Sequence, residues 1–279
     1  MVGRWHPQYI VRPIDSRQSS TNVVIVETDI GQGFLKAIGN PAGTHCLASE
    51  FVGTQLAEWL GLQTLDYGLV NVDDKIDDIR FYSGGKAKSG PAFIAKLEPG
   101  DVWNGSKKQL RQLVNSDDIS KLVVFDTWVM NRDRKSKLMA VTDNVFLSTT
   151  KTAKGKLRMV AIDHTHCFAA ENSVRLDLDQ IKIPDDFEVY GLFPEFRDFW
   201  DRSAVREVAE RLGKLEKAAV EAIVGSIPSE WGVSVSTRKR LVKLIVQRAG
   251  QTANEIEGRL LGPKHRQNDL NYGHSEGEA

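Results

Sequence analysis

Up to about residue 98 the apolar positions of this chain come in short, β-branched runs, broken by one helical stretch. Beyond it they recur mainly at helical spacing. Val23–Val26 predicts a strand, and the turn at 28–33 leads into a second strand over Phe34–Ile38. In that strand Lys36 falls on the face opposite Leu35 and Ala37. Turn formers at 39–44 then open a helix on which Leu47, Phe51, Val52, Leu56, Trp59 and Leu60 repeat, and Gly61 closes it. Glu50 lies at the margin of that stripe. Further strands are predicted over 65–72, 79–82 and 91–95, separated by an acidic turn (73–78) and a flexible basic loop (84–91). Pro99-Gly100 is the predicted boundary between a strand-rich part and a helical part.

Past the boundary, a helix beginning at Ser106 carries Leu110, Leu113 and Val114, and a second covers Ile119–Met130, with capping residues at 115–118. Short strands over 144–147 and 157–162 flank a basic turn (151–156). An irregular connector (176–187) and an aromatic cluster (190–200) follow. Ser203 is predicted to cap a helix that runs to about Ile227, and Pro228 to Gly232 break it. Ser236 starts a last helix ending near Leu261. The polar tail 263–279 is predicted to be disordered. Residues 9–11 form only a short apolar piece.

Bulk properties narrow the class. The 279 residues are 41% hydrophobic and 27% charged, with 37 basic residues balancing 37 acidic ones. That is a globular composition with no global field to attract nucleic acid or an anionic membrane. No apolar run reaches membrane-spanning length, and the N-terminus lacks a signal-peptide pattern, so a cytoplasmic location is expected. Cys46 and Cys167 show neither metal spacing nor a disulfide framework and are expected to be buried thiols.

The candidate chemistry lies between residues 123 and 168. An apolar helix ends on a polar loop, Asn131-Arg-Asp133. Asn144 precedes one strand, and Asp163 follows the next. A loop aspartate, an asparagine and a strand-end aspartate in this order are the set that phosphoryl transfer uses: a hydroxyl-proton acceptor and two oxygen ligands for magnesium. From the residues alone, Lys36 is either a solvated strand lysine or a phosphate-facing one. Glu50 is either a solvated helix carboxylate or the partner that orients that lysine. His164 and His166 flank Thr165 closely enough to suggest a metal site but, without a third ligand nearby, read as hydrogen-bonded turn residues. Arg132, Arg134, Lys135 and Lys137 read equally as a steering cluster or a solvated basic loop.

The segments Gly33-Phe-Leu-Lys-Ala-Ile-Gly-Asn-Pro-Ala-Gly-Thr-His-Cys-Leu-Ala-Ser-Glu50, Gln55–Leu62, Phe125-Asp-Thr-Trp-Val-Met-Asn-Arg-Asp133 and Val160-Ala-Ile-Asp-His164 together resemble the HipA-like serine/threonine kinases, an atypical branch of the protein-kinase fold. The resemblance implies a two-lobed α+β fold: an antiparallel lobe (1–98), a helical lobe (99–262) and a disordered tail (263–279). ATP and magnesium would bind between the lobes. Lys36 would contact the phosphates and Glu50 orient it, with Ala95, Lys96, Leu97 and Glu98 as the adenine-binding hinge. Asp133 would be the catalytic residue, and Asn144 and Asp163 the metal ligands. An insert at 134–143 lengthens the usual spacing from Asp133 to Asn144 and makes Asp143 an alternative ligand. The family's histidine after the catalytic aspartate is replaced by Arg134 and Lys135. The implied activity is ATP- and magnesium-dependent phosphorylation of a hydroxyl, on serine or threonine of a protein. The alternatives are a catalytically impaired nucleotide-binding regulatory module, or a small-molecule kinase or nucleotidyltransferase. The protein substrate or regulatory partner is not identified by sequence.

Overall fold

A computed structural model of the chain describes residues 3–17, 21–134, 144–168, 177–181 and 187–262. The short apolar piece at 9–11 opens a strand that was not expected, β1 (Ile10–Ser16), and the runs after it become β2 (Val24–Thr28) and β3 (Gly31–Lys36), the latter shifted toward the turn from the expected 34–38. Thr28 pairs with Gly31, so the β2–β3 hairpin turns on Asp29 and Ile30 alone. It is tighter than the turn expected over 28–33, and Gly31 opens β3 with a φ of 132°. Helix α1 (His45–Leu60) follows and closes on left-handed Gly61. With β4 (Tyr67–Val72) and β5 (Gly90–Lys96), the strands form an antiparallel sheet of order β1-β2-β3-β5-β4.

The two faces of this sheet bury different cores. Leu35, Ala37, Val70, Ala92 and Ile94 pack on one side with Trp5, Ile79 and Phe81. Tyr67, Phe93 and Ala95 pack on the other, against α1, where Phe51 meets Tyr67 and Phe93 edge-on at 6.4 Å. Lys36 pairs in register with Phe93 and so shares the α1 face. The strand expected over 79–82 does not form. Ile79 and Phe81 satisfy their alternation by packing on the outer face, and only an isolated bridge joins Arg80 to Lys86.

After Pro99 a second sheet forms from β6 (Gly100–Val102), β7 (Val145–Ser148) and β8 (Arg158–Ala161), in that order. The helix expected from Ser106 is a single turn, α2 (Lys107–Leu110), because Leu113 bridges to Leu157 instead of continuing the spiral. Helix α3 (Asp118–Val129) is buried nearly all round. The indole Nε1 of Trp128 donates to the Ile245 carbonyl at 2.9 Å. The stretch read as one helix to Ile227 is two, α4 (Arg202–Gly213) and α5 (Lys217–Gly225). Asp201, not Ser203, caps the first, accepting from the Ser203 and Ala204 amides. Glu216 is extended, and the weak helix former Gly213 marks the break. Leu212 and Leu215 keep helical spacing across it, so periodicity alone could not reveal it. The last helix, α6 (Val235–Leu261), is capped by Ser234 rather than Ser236, since the Ser234 Oγ accepts the Thr237 amide. The tail 263–279 lies outside the described residues.

One continuous core joins the helices to α1. Trp231, after α5, stacks edge-on against Phe51 at 5.6 Å and donates its Nε1 to the Pro91 carbonyl at 2.8 Å. No helix among the described residues is long and apolar enough to cross a membrane.

Candidate active site

Lys36 ends β3 with its ammonium buried beneath α1. Its Nζ donates to Glu50 Oε2 at 2.7 Å and to Asp163 Oδ1 at 3.0 Å, with 6% of the lysine side chain and 5% of the glutamate's exposed. A buried ammonium without partners would lose its proton. Here burial pulls the Lys36 pKa down, but the Asp163 and Glu50 carboxylates outweigh it and hold it raised. Burial likewise works to raise Asp163, and Lys36 and the Thr165 hydroxyl, which donates to Oδ1 at 2.6 Å, hold it below the usual carboxylate range. Asp163 therefore stays anionic and Lys36 cationic at neutral pH.

Glu50 also accepts the backbone N–H of His164 at 3.1 Å, which ties α1 to the turn after β8. Gly53, one turn further along α1, makes this approach possible. A Cβ there would lie 2.5 Å from the His164 Cβ, so the helix accepts its poorest ordinary residue to let the turn in. The His164 ring is buried edge-on to Phe125, and burial lowers its pKa to about 3. It is a neutral core residue. Asp163 itself has φ of 55°, a left-handed conformation that aspartate adopts more readily than most residues.

Met130 closes α3 in the left-handed conformation and turns the chain into the Asn131–Arg134 loop. Asp133 accepts from Asn144 Nδ2 through Oδ2 at 2.8 Å, and the His166 Nε2 lies 3.8 Å from the same oxygen. The 134–143 insert thus does not carry Asn144 away from Asp133. Asp143, Lys135 and Lys137 lie outside the described residues.

Arg134 is not part of a solvated loop. Its guanidinium is fully buried, donating from Nε to Asp126 Oδ2 at 2.8 Å and from a terminal nitrogen to the Ile162 carbonyl at 3.1 Å. It locks the loop bearing Asp133 to the strand end bearing Asp163. The Phe168 amide donates to the Val129 carbonyl at 2.8 Å, a second tie between the same segments. Gly53 and Thr165 were not readable as site residues, and Arg134 and His166 were read in other roles. The one hint was a glycine inside a strong helix pattern, one turn from Glu50.

Ala95 pairs with Phe34 and Tyr67 in the sheet. The Lys96 amide donates to the Asp66 carbonyl at 2.7 Å and the Leu97 amide to the Gln32 carbonyl at 2.8 Å. The Glu98 carboxylate receives Ser148 Oγ at 2.6 Å and Arg158 at 2.9 Å, so this acid anchors β5 to the second sheet. Cys46 and Cys167 are buried free thiols, with burial raising the first to about 12.

An antiparallel sheet joined to a helical part, with the strand lysine paired to a helix glutamate where the parts meet, defines a kinase-type phosphotransferase. The chain belongs to the HipA-like kinase family, which it matches over residues 10–259. Among solved structures it is similar to a Helicobacter pylori proinflammatory kinase, CtkA. The TM-score is 0.55 at 12% identity, covering 91% of this chain and 98% of that one, a likeness of fold. No curated protein matches the chain.

Proposed function

We propose that the protein transfers the γ-phosphoryl group of ATP, with magnesium, to a serine or threonine hydroxyl of a protein. The observation that carries this reading is the Lys36–Glu50–Asp163 cluster, whose metal-loop turn also brings His166 beside Asp133 and Asn144. Lys36 would exchange Asp163 for the nucleotide phosphates while Glu50 keeps it aligned. That exchange leaves Asp163 free for the metal. Asn144 spends its amide N–H on Asp133, which frees its carbonyl oxygen. One carboxylate and one amide oxygen, without thiolate or imidazole, suit a hard cation that takes its remaining ligands from phosphate and water. When bound, magnesium supplies charge neutralisation on the phosphates.

Asp133 would accept the acceptor hydroxyl's proton as that oxygen bonds to the γ-phosphorus. The bond from the γ-phosphorus to the β,γ-bridging oxygen breaks, and ADP leaves. We assign residues 1–98 and 99–262 as the two lobes, with Ala95–Glu98 between them. The Lys96 and Leu97 amides are already spent on the Asp66 and Gln32 carbonyls, and the segment Ala95–Glu98 is assigned to adenine.

Incubation with γ-labelled ATP and magnesium, beside an Asp133→Ala variant, tests this reading. Label is expected in protein hydroxyls with the wild-type chain and reduced about 100-fold or more in the variant, the scale on which removing a positioned acid–base group acts. Equal labelling by both proteins would remove Asp133 from the mechanism. A product heavier by a nucleotide rather than by a phosphoryl group would reassign the chemistry.

A further inference from the structure

We infer that His166, on the turn that carries Asp163, is the positioning residue for Asp133. The inference rests on the phosphotransferase reading above.

Two nitrogens face one oxygen, one of them within hydrogen-bond distance. Asn144 Nδ2 reaches Asp133 Oδ2 at 2.8 Å, and His166 Nε2 approaches the same atom at 3.8 Å. A carboxylate held through Oδ2 keeps its plane fixed and presents Oδ1 to the acceptor hydroxyl. A donor on Oδ2 resists rotation about the Cβ–Cγ bond, and a second from another direction restricts it further. The gap exceeds a hydrogen bond by somewhat under an ångström. Catalytic hydrogen bonds tighten to bonding distance when the reacting groups assemble. The His166 side chain is 26% exposed and that of Asp133 16%, so neither is sealed in the core.

The placement follows from the turn that carries it. Asp163, Thr165 and His166 share four residues after β8, with Thr165 buried and bonded to Asp163 Oδ1. The Cys167 amide donates to the His164 carbonyl at 3.1 Å, which closes the turn, and the Phe168 amide anchors its end on α3. Arg134 fixes the opposing loop against Ile162. His166 is thereby held at Asp133 by the same backbone that holds Asp163 near Lys36. A shift of that turn would disturb the metal ligand and the hydroxyl acceptor together.

The test is a double-mutant cycle on label transfer from γ-labelled ATP–magnesium into casein and into the chain itself. His166→Ala is expected to lower kcat roughly 10-fold, the scale of one hydrogen bond to a charged group, with KM for ATP unchanged. His166→Gln, which retains an N–H donor, should recover much of the loss. In the Asp133→Ala background His166→Ala should cost nothing further, because the residue acts through Asp133. A structural role would instead lower activity in both backgrounds and raise KM. Thermal melting and ATP–magnesium calorimetry of each variant identify misfolded protein, and the glutamine variant then decides. Additive losses, or full activity in His166→Ala while Asp133→Ala is inactive, overturn the inference and leave the phosphotransferase reading standing. Wild-type protein that transfers no label overturns both.

Discussion

Lys36 shows how far a single residue could be read from sequence. Its alternation with Leu35 and Ala37 put it on the correct face, yet the strand pattern could not say whether that face met water or α1. The structure buries it between two carboxylates, so Lys36→Met would leave two acids facing each other in a dry site. Transfer activity is expected to fall at least about 100-fold, as when a charge-stabilising donor is removed; activity within threefold of wild type would exclude Lys36 from phosphate binding. Arg134 was illegible for the opposite reason: a basic residue in a polar loop looks solvated until its partner is known, and Asp126 lies on the preceding helix. Burial raises Asp126 from 3.8 to about 6, against the pull of Arg134. A folded value above the unfolded one favours the folded state when protonated. That contribution is fully present below the unfolded value and is lost as pH rises through the folded one, a swing of about 3 kcal/mol. His164, depressed by burial, has the opposite slope and has it in wild type and variant alike. Asp126→Asn should therefore remove that downward contribution, so that stability rises more steeply between pH 4 and 6 than in the wild type, while lowering overall stability by about 3–5 kcal/mol through the unpaired guanidinium. Urea midpoints across that range check it, and identical slopes in the two proteins would contradict the assignment.

Among the elements, α1 does more than carry Glu50. One face packs on the sheet, Gly53 admits the His164 turn, and Trp231 closes it from the helical part. Gly53→Ala gains about 1 kcal/mol of helix propensity but drives a methyl into the His164 Cβ, for a net loss of about 1–3 kcal/mol. Melting should show the destabilisation, with transfer activity falling further than stability alone explains, because Glu50 is displaced from Lys36. A more stable, fully active variant would show that the turn moves freely. Trp231→Ala should cost about 3–5 kcal/mol, the range for truncating a fully buried aromatic, read from urea unfolding. Elements whose periodicity comes with end signals, such as α1 with Gly61 and α3 with its loop, were legible. The α4–α5 break was not, because its leucines keep one helical phase. Strand β6 was not either, because three residues form a strand only through pairing with β7.

At the scale of the whole molecule, the two sheets and the helical part meet around one cluster of opposed charges. The balanced net charge leaves that cluster as a local rather than a global feature. The fold class followed from the family resemblance, and the shift in apolar spacing near residue 99 suggested the order of parts. What stayed hidden was the continuity of the core from α1 to α6, a tertiary property that joins the parts where a spacing change suggests separation. It makes the Lys36–Glu50 pair a resting feature of the fold, so ATP should find its lysine already aligned. The most direct measurement is a crystal structure with a non-hydrolysable ATP analogue and magnesium. The account predicts Lys36 Nζ on the phosphates with Glu50 still bonded to it, Asp163 and the Asn144 carbonyl oxygen on the metal, and Asp133 facing the γ-phosphate. A triphosphate bound elsewhere, or a metal held by neither Asp163 nor Asn144, would contradict it.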